Sequence, residues 1–138
     1  MRVMAFGTFD NLHPGHLHYF QQARHFGDEL IVIVARDRNV LGIKRRAAQE
    51  SEKIRRSNVS QALKNLEIPG KAVLGNLKNR WLVLKRYNPE IICLGYDQKV
   101  DLPQLKREIA KFRLFCKIKR LRAYHPEKYK SSLRMAIK

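Results

Sequence analysis

Two patterns of apolar residues alternate along this chain. Short continuous apolar runs are typical of buried strands, and apolar residues repeated every three or four positions are typical of helices that cover a sheet. The runs predict five strands: Arg2–Phe6, Glu29–Ala35, Lys71–Leu74, Glu90–Leu94 and Phe115–Leu121. The repeats predict helices over His16–Phe26, Gln49–Leu66, Lys78–Tyr87 and Leu102–Arg113, and a further short helix that begins at Ser131. This alternation predicts an α/β fold with a parallel sheet, formed by residues 1–138 as one domain.

Polar and glycine-rich segments follow four of the predicted strands. They begin Gly7-Thr8-Phe9-Asp10, Arg36-Asp37, Gly75-Asn76 and Gly95-Tyr96-Asp97-Gln98. Ligands of open parallel sheets bind beyond the carboxyl ends of the strands, where the strand order switches direction. We therefore expect these four segments to meet around one cleft.

The first of these segments continues into Asn11-Leu12-His13-Pro14-Gly15-His16, where a strand end passes into a helix start. A helix start offers unpaired backbone N–H groups and a favourable dipole to a phosphate. Gly7 carries no side chain, so we expect it to let a ligand approach the backbone closely. The segment thus predicts a nucleotide phosphate site, with turn capping and packing by the two histidines as the alternative.

Charge is distributed unevenly along the chain. The net charge is +17, yet residues 1–35 contain two arginines and three carboxylates, so the remaining residues carry a net +18. The cations cluster in Arg36–Arg56 and Lys106–Arg122. A nucleotide and a phosphorylated substrate account for part of this charge. The excess predicts either a solvated basic surface or a surface with weak, salt-sensitive affinity for nucleic acid.

Hydropathy and cysteine usage indicate the cell compartment. The longest strongly apolar run, Leu30–Ala35, is too short to cross a bilayer. The amino terminus enters a predicted strand at once, so we expect no signal peptide. Cys93 and Cys116 lie in predicted buried strands and lack Cys-x-x-Cys spacing. Two reduced core thiols of this kind predict a cytoplasmic protein without membrane contact.

Gly7-Thr8-Phe9-Asp10 followed by His13-x-Gly15-His16 resembles the signature of the cytidylyltransferase-like nucleotidyltransferases. These enzymes transfer a nucleoside monophosphate from CTP or ATP to a phosphorylated acceptor and release pyrophosphate. The resemblance covers nearly the whole chain and implies a Rossmann-like sheet with helices on both faces, commonly in a homodimer. It also implies that His13 and His16 contact the triphosphate and stabilise the transition state. The sequence shows no cluster of metal ligands, so Mg²⁺ is expected to arrive on the triphosphate.

The resemblance assigns further residues to the nucleotide. A Gly-x-Asp motif beside the base and ribose matches the segment that begins at Gly95, and an arginine before a Ser/Thr turn matches Arg120, or else Arg122. The nucleotide-binding residues implied in this way are Gly7, Thr8, Phe9, Asp10, Gly15, Gly95, Asp97, Gln98, Arg120, Ser131 and Ser132.

Three charged residues are implied at the acceptor or the leaving group. Asp37 matches an acidic residue near the acceptor or a metal, although an aspartate after a strand is also a common turn residue. Lys44 matches a lysine that reaches the acceptor phosphate or the triphosphate, and a flexible basic loop is the alternative. Arg55, or else Arg56, matches a helical arginine that neutralises acceptor and leaving-group charge, with an ordinary exposed arginine as the alternative. In the same predicted helix, Ile54 is placed on the buried apolar stripe.

The form Gly95-Tyr96-Asp97-Gln98 determines the expected substrate. It is similar to that of archaeal-type FAD synthetases, which adenylylate FMN, and Tyr96 would contact the acceptor. Glycerol-3-phosphate cytidylyltransferases more often carry a second acidic residue where Tyr96 stands. We therefore expect ATP and FMN as substrates. CTP with glycerol 3-phosphate or a similar polyol phosphate is the alternative, and a nucleic-acid-binding protein on the same fold is the third hypothesis. Archaeal-type enzymes usually carry cysteines near the carboxyl end, and this chain has none there.

Overall fold

The computed structural model describes residues 1–38, 48–95, 98 and 100–122. The predictions for Lys44, Tyr96, Asp97, Ser131 and Ser132, and for a helix that begins at Ser131, lie outside these residues. The strands are β1 (Arg2–Gly7), β2 (Glu29–Val34), β3 (Gly70–Leu74), β4 (Ile91–Leu94) and β5 (Lys117–Arg120). The helices between them are α1 (Pro14–His25), α2 (Glu52–Asn65), α3 (Leu82–Tyr87) and α4 (Leu102–Lys111).

The five strands form one parallel sheet in the order β3-β2-β1-β4-β5. The chain adds strands in one direction from β1 to β3 and in the other direction from β4 to β5. The strand order therefore switches between β1 and β4, where open parallel sheets bind their ligands. This topology confirms the predicted Rossmann-like fold.

The two faces of the sheet bury separate apolar clusters. Phe20 of α1 and Val59 and Leu63 of α2 pack on one face. Leu84 of α3 and Leu105 of α4 pack on the other. Helices therefore cover both faces, as expected. Among the described residues, no helix is long and apolar enough to cross a membrane.

The start of α3 differs from the prediction. The helix begins at Leu82 rather than at Lys78, because asparagine side chains hold the preceding backbone in turns. The Asn76 Oδ1 accepts the N–H groups of Lys78 and Asn79, both at 2.9 Å. The Asn79 Oδ1 accepts the N–H of Trp81 at 3.0 Å. Side-chain bonds to the backbone thus compete with the first turn of the predicted helix.

The start of β5 also differs from the prediction. Pairing with β4 begins at Ile91 and Lys117, so Phe115 lies before the strand, and its residue surface is 97% exposed. Cys93 is buried in β4 as expected, but Cys116 is only half-buried and precedes β5. The predicted strand was too long because the apolar residues around Cys116 belong partly to a turn.

Candidate active site

Two histidines cap the start of α1, directly after the loop that follows β1. The Nδ1 atom of His13, the residue before the helix, accepts a hydrogen bond from the Gly15 N–H at 3.0 Å. The Nδ1 atom of His16 accepts the N–H of His13 at 3.3 Å. The two rings stack with their centroids 3.9 Å apart and their planes at 27°. The motif is thus a reciprocal capping box built from imidazoles.

This cap determines which ring nitrogens carry protons. A ring nitrogen that accepts a hydrogen bond is unprotonated, so in their neutral forms both rings carry the proton at Nε2. Burial lowers the pKa of His13 below its ordinary value, which favours the neutral form. In each neutral ring, Nε2–H therefore lies on the side opposite to the capping nitrogen. The helix cap thus uses the Nδ1 atom of each ring.

The glycines of the motif make room for neighbouring rings. A Cβ atom at Gly15 would lie 2.7 Å from the His13 Cε1, so only glycine allows the His13 ring to fold back onto the helix start. A Cβ atom at Gly7 would lie 2.6 Å from the Phe9 Cζ. The space above Gly7, expected to admit a ligand, is therefore filled by the buried Phe9 ring. That ring packs edge-on against His16, with centroids 5.6 Å apart.

Asp10 and Asn11 tie this loop to the residues before α2. The Asp10 carboxylate accepts the backbone N–H groups of Gln49 and Glu50, at 2.9 and 3.0 Å. Asn11 donates its N–H to the Glu50 Oε1 at 2.8 Å and its side-chain amide to the Gln49 Oε1 at 2.6 Å. Asp10, predicted to contact the nucleotide, thus uses both carboxylate oxygens to fix the loop that carries the histidines.

Arg55, in the first turn of α2, is fully buried beneath the loops that follow β1 and β2. Its Nη1 donates to the carbonyl oxygens of Thr8 and Ala35, at 2.9 and 2.8 Å. Its Nε donates to the Glu50 carbonyl at 3.0 Å, and its Nη2 to the Asp37 Oδ1 at 2.5 Å. Four of the five guanidinium N–H groups are thus bonded to the protein.

The position of Arg55 differs from the expected contact with the acceptor or pyrophosphate. The side chain is 0% exposed, whereas the neighbouring Arg56 is exposed. Ile54, predicted to be buried, is 51% exposed, and Arg55 takes the stripe position four residues before Val59. The strand-end carbonyls and Asp37 supply the acceptors that make this burial stable. Direct contact of Arg55 with a substrate does not fit this arrangement.

Asp37 and Arg36 link the ends of β2 and β3 to α2. The hydrogen bond from Arg55 holds the pKa of Asp37 below its usual range. Asp37 and Glu52 exchange bonds, because each carboxylate accepts the backbone N–H of the other, at 2.9 and 3.2 Å. Arg36 donates to the Glu52 Oε2 at 3.0 Å and to the Gly75 carbonyl at 2.7 Å. The predicted acceptor residue Asp37 therefore lies in a network that joins three loops.

Gln98 and Arg120 hold the loop after β4. The Gln98 side chain accepts the Gly95 N–H at 3.1 Å and donates to the Phe6 carbonyl at 3.2 Å, across the switch between β1 and β4. The Arg120 Nη1 donates to the carbonyl oxygens of Gly95 and Gln98, at 2.8 and 2.6 Å. Arg120 is exposed at the carboxyl end of β5. Both residues, predicted to contact the nucleotide, thus bond to backbone groups at the carboxyl ends of β1 and β4.

Tyr19 is a site residue that the sequence analysis missed. Its hydroxyl shares its one proton between the carbonyl oxygens of Phe6 and Cys93, at 3.4 and 3.1 Å, near the carboxyl ends of β1 and β4. Burial raises the pKa of Tyr19 well above its ordinary value, so the phenol stays protonated as a donor. A signal was present in the sequence, because Tyr19 lies three residues after His16 and so projects from the same side of α1.

These features define a class of protein. A helix start at the switch point of a five-stranded parallel sheet is where Rossmann-like proteins bind nucleotide phosphates. The chain belongs to the cytidylyltransferase-like family, whose sequence model matches residues 4–135. It is therefore a nucleotidyltransferase, as the resemblance implied.

Individual relatives agree with this assignment. The FAD synthase of Methanosarcina barkeri is 44% identical over 110 residues, which cover 80% of this chain and 75% of the relative. The FAD synthase of Archaeoglobus profundus is 38% identical over 135 residues, which cover 98% and 83%. A crystal structure of the lipopolysaccharide core biosynthesis protein from Thermoplasma volcanium matches with a TM-score of 0.80 and 37% identity, over 90% of this chain and 98% of that one.

Proposed function

We propose that this protein transfers AMP from ATP to FMN, releases pyrophosphate and thereby makes FAD. The observation that carries the proposal is the histidine pair at the start of α1, whose Nδ1 atoms accept the cap hydrogen bonds. In this proposal, the Nε2–H groups of the same rings donate to the phosphates of ATP. The archaeal FAD synthase relatives support ATP and FMN as the substrate pair.

The reaction is an in-line displacement at the α-phosphorus of ATP. A phosphate oxygen of FMN forms the new P–O bond while the bond to the β-phosphate breaks, and the electron pair leaves with pyrophosphate. The FMN phosphate is already ionised, so no general base is required. Catalysis then depends on alignment and on donors for the growing charge. His13, His16 and the positive end of α1 supply those donors.

The predicted contacts outside the described residues complete this proposal. Lys44 neutralises the acceptor phosphate or the triphosphate, and Asp97 lies beside the ribose and base. Ser131 and Ser132 bind the phosphates, and Tyr96 contacts the acceptor. Their support is the match of each residue to a motif of the family in the sequence.

Mg²⁺ is proposed to enter on the triphosphate. Within the described residues, no group of three or more His, Cys, Asp or Glu side chains could hold a metal. The carboxylates of Asp10 and Asp37 already accept bonds from backbone N–H groups and from Arg55. Mg²⁺ keeps several waters and binds substrate phosphates readily, so it needs no cage of protein ligands. When bound, it would offset the charge of the leaving pyrophosphate.

We place the flavin ring of the acceptor in a cavity of about 380 Å³ beside β3 and α3. Leu74 and Leu82 supply apolar walls, and Arg36 and Arg86 supply cations. Neighbouring strands lie about 4.8 Å apart, so the end of β3 is about 10 Å from the end of β1. The ribityl chain of FMN would bridge that distance and bring its phosphate to the histidines. Glycerol 3-phosphate has no ring to fill this cavity.

The substrate pair is tested by crossing ATP and CTP with FMN and glycerol 3-phosphate, in the presence of Mg²⁺, and measuring pyrophosphate release. We expect release only with ATP and FMN, with FAD as the second product. Release with CTP and glycerol 3-phosphate would replace this proposal by the cytidylyltransferase alternative. No release with any pair would contradict the enzymatic function itself.

The acceptor cavity has its own matched test. Arg86→Ala removes a cation of the cavity wall, and Lys85→Ala removes an exposed cation one residue away. We expect a KM for FMN raised about tenfold in the first variant, with the KM for ATP unchanged. The second variant should behave as the wild type. Equal KM values for FMN in both variants would place the flavin elsewhere.

Assembly and location complete the proposal. A homodimer is implied by the family resemblance, and light scattering of the purified protein tests it. The free thiols of Cys93 and Cys116 support a reducing compartment such as the cytoplasm. Fractionation of cells that produce the protein tests this location.

A further inference from the structure

We propose that the edge formed by α4, the turn after it and β5 binds single-stranded nucleic acid, with Phe115 as the residue on which a base stacks. The helix and the strand on either side of this 97% exposed phenylalanine, together with the turn between them, carry five exposed cations: Arg107, Lys111, Arg113, Lys117 and Lys119. We call this surface the basic edge. It is separate from the nucleotidyl-transfer function and does not depend on it.

A defined turn presents Phe115 to solvent. Arg113 adopts a left-handed backbone conformation at φ 55°, directly after Phe112, the residue that caps the end of α4. The N–H of Leu114 bonds to the Ile109 carbonyl at 3.0 Å, and that of Arg113 to the Ala110 carbonyl at 3.0 Å. This pair of bonds is a Schellman motif, which fixes the chain direction after a helix. Because β5 then begins at Lys117, Phe115 is held between two anchored elements.

The basic edge and the histidine pair lie at opposite ends of the sheet. Lys117 donates its N–H to the carbonyl of Glu90, the residue before β4, at 2.9 Å. The turn that carries Phe115 is therefore at the amino ends of β4 and β5. The histidines follow the carboxyl end of β1, and all strands run parallel. A polymer on the basic edge would not occupy the phosphate site.

Within the described part of the chain, the cations of the basic edge form no ion pairs with carboxylates. None of the ion pairs among the described residues includes one of the five. Lys117 and Lys119 project from the same side of an edge strand, about 6.6 Å apart along it. Lysines on an edge strand also prevent pairing with other strands. That protective role does not require an exposed aromatic ring, so it leaves Phe115 unexplained.

Exposed cations on the elements that flank one exposed aromatic ring fit single-stranded nucleic acid better than a membrane surface. Burial of one Phe side chain in lipid contributes about 2–3 kcal/mol, and stable membrane attachment requires a second anchoring signal. The other large exposed apolar residues, Met1, Ile54, Leu77 and Leu82, lie outside the basic edge. For a single strand, the cations bind the phosphates and one ring is sufficient to stack a base.

The test is fluorescence anisotropy of a labelled oligothymidine in saturating ATP and Mg²⁺, which occupy the catalytic site. We expect Phe115→Ala to weaken binding about tenfold, as for loss of one base–aromatic stack. Leu77→Ala, which removes an exposed apolar side chain elsewhere, should leave it unchanged. The double variant Lys117→Gln/Lys119→Gln should flatten the slope of log K against log salt by about 1.4. Lys53→Gln/Lys64→Gln removes the same charge from α2 and should keep the slope.

Three results would overturn the proposal. One is no binding of the oligonucleotide at low salt. Another is an equal loss of affinity for the oligonucleotide in the edge variants and in their control variants, which would indicate a general effect of net charge. The third is binding to phosphatidylserine vesicles that depends on Phe115, without binding to the oligonucleotide. FMN adenylylation should be unchanged in all four variants, and a loss there would show that the basic edge is not separate from the catalytic site.

Discussion

The starts of α1 and α2 lie at the ends of neighbouring strands, and they use their polar groups in opposite ways. At α1, the cap uses the Nδ1 atom of each histidine and does not involve Nε2. At α2, Arg55 directs four of its N–H groups to carbonyl oxygens and to Asp37. A polar residue at a helix start can therefore bind a ligand only through N–H groups that are not already bonded within the fold. We infer that the histidines act on the substrate and that Arg55 acts by positioning the loops.

The largest expected effect is on the catalytic rate, and it distinguishes a residue that acts on the substrate from one that positions the loops. His16→Ala removes a phosphate donor, and we expect kcat for FAD formation to fall about 10²- to 10³-fold. Loss of the cap should lower the free energy of unfolding by only about 1 kcal/mol. His25→Ala changes an exposed histidine at the end of the same helix and should retain full activity. A kcat for His16→Ala close to that of the wild type would refute the role of the pair.

Arg55→Met should mainly reduce stability. The change leaves the Thr8 and Ala35 carbonyl oxygens without their donor, so we expect a loss of about 3 kcal/mol in urea unfolding. Arg56→Met, at an exposed position, should change stability by less than about 0.5 kcal/mol. Arg55→Lys keeps the charge but cannot make four bonds, and it should be intermediate. A stable Arg55→Met variant with a raised KM would instead indicate direct substrate contact.

Gly15→Ala tests the cap by steric means. The new Cβ would lie 2.7 Å from the His13 Cε1, so the ring must turn away and the Nδ1 bond is lost. We expect unfolding free energy to fall by about 1 kcal/mol. At Gly75 the nearest atom to a new Cβ is 3.6 Å away, so Gly75→Ala should leave stability nearly unchanged. Equal stabilities of the two variants would contradict the capping geometry.

The smallest expected effect is on the pH dependence of stability. Burial lowers the pKa of His13 in the folded state below the ordinary value of 6.5. The neutral ring therefore contributes fully to the free energy of unfolding above pH 6.5, and this contribution is lost as pH falls through the lower pKa of the folded state. Protonation at Nδ1 removes the acceptor for the Gly15 N–H. His13→Asn keeps an acceptor at this position but cannot titrate. Between neutral and mildly acidic pH, the free energy of unfolding should therefore change less with pH in this variant than in the wild type.

Much of the fold could be predicted because apolar runs determine which segments are buried strands. The start of α3 could not be predicted in this way, because the side chains of Asn76 and Asn79 hold the backbone in turns there. The position of the histidine pair followed from its motif, but the role of Arg55 did not. Its spacing from Val59 was the available signal, yet a charge is buried only if tertiary partners exist. Those partners, the carbonyls of Thr8 and Ala35, are distant in sequence.

The most direct test of the account is the tautomer of the two capping histidines, measured by ¹H–¹⁵N NMR of the imidazole rings at neutral pH. We predict that His13 and His16 both carry their proton at Nε2 and that both Nε2–H signals move when ATP and Mg²⁺ are added. The His25 signals should not move. A proton on Nδ1 of either capping ring, or Nε2–H signals that ignore the nucleotide, would contradict the claim that one nitrogen of each ring serves the fold and the other serves the phosphate.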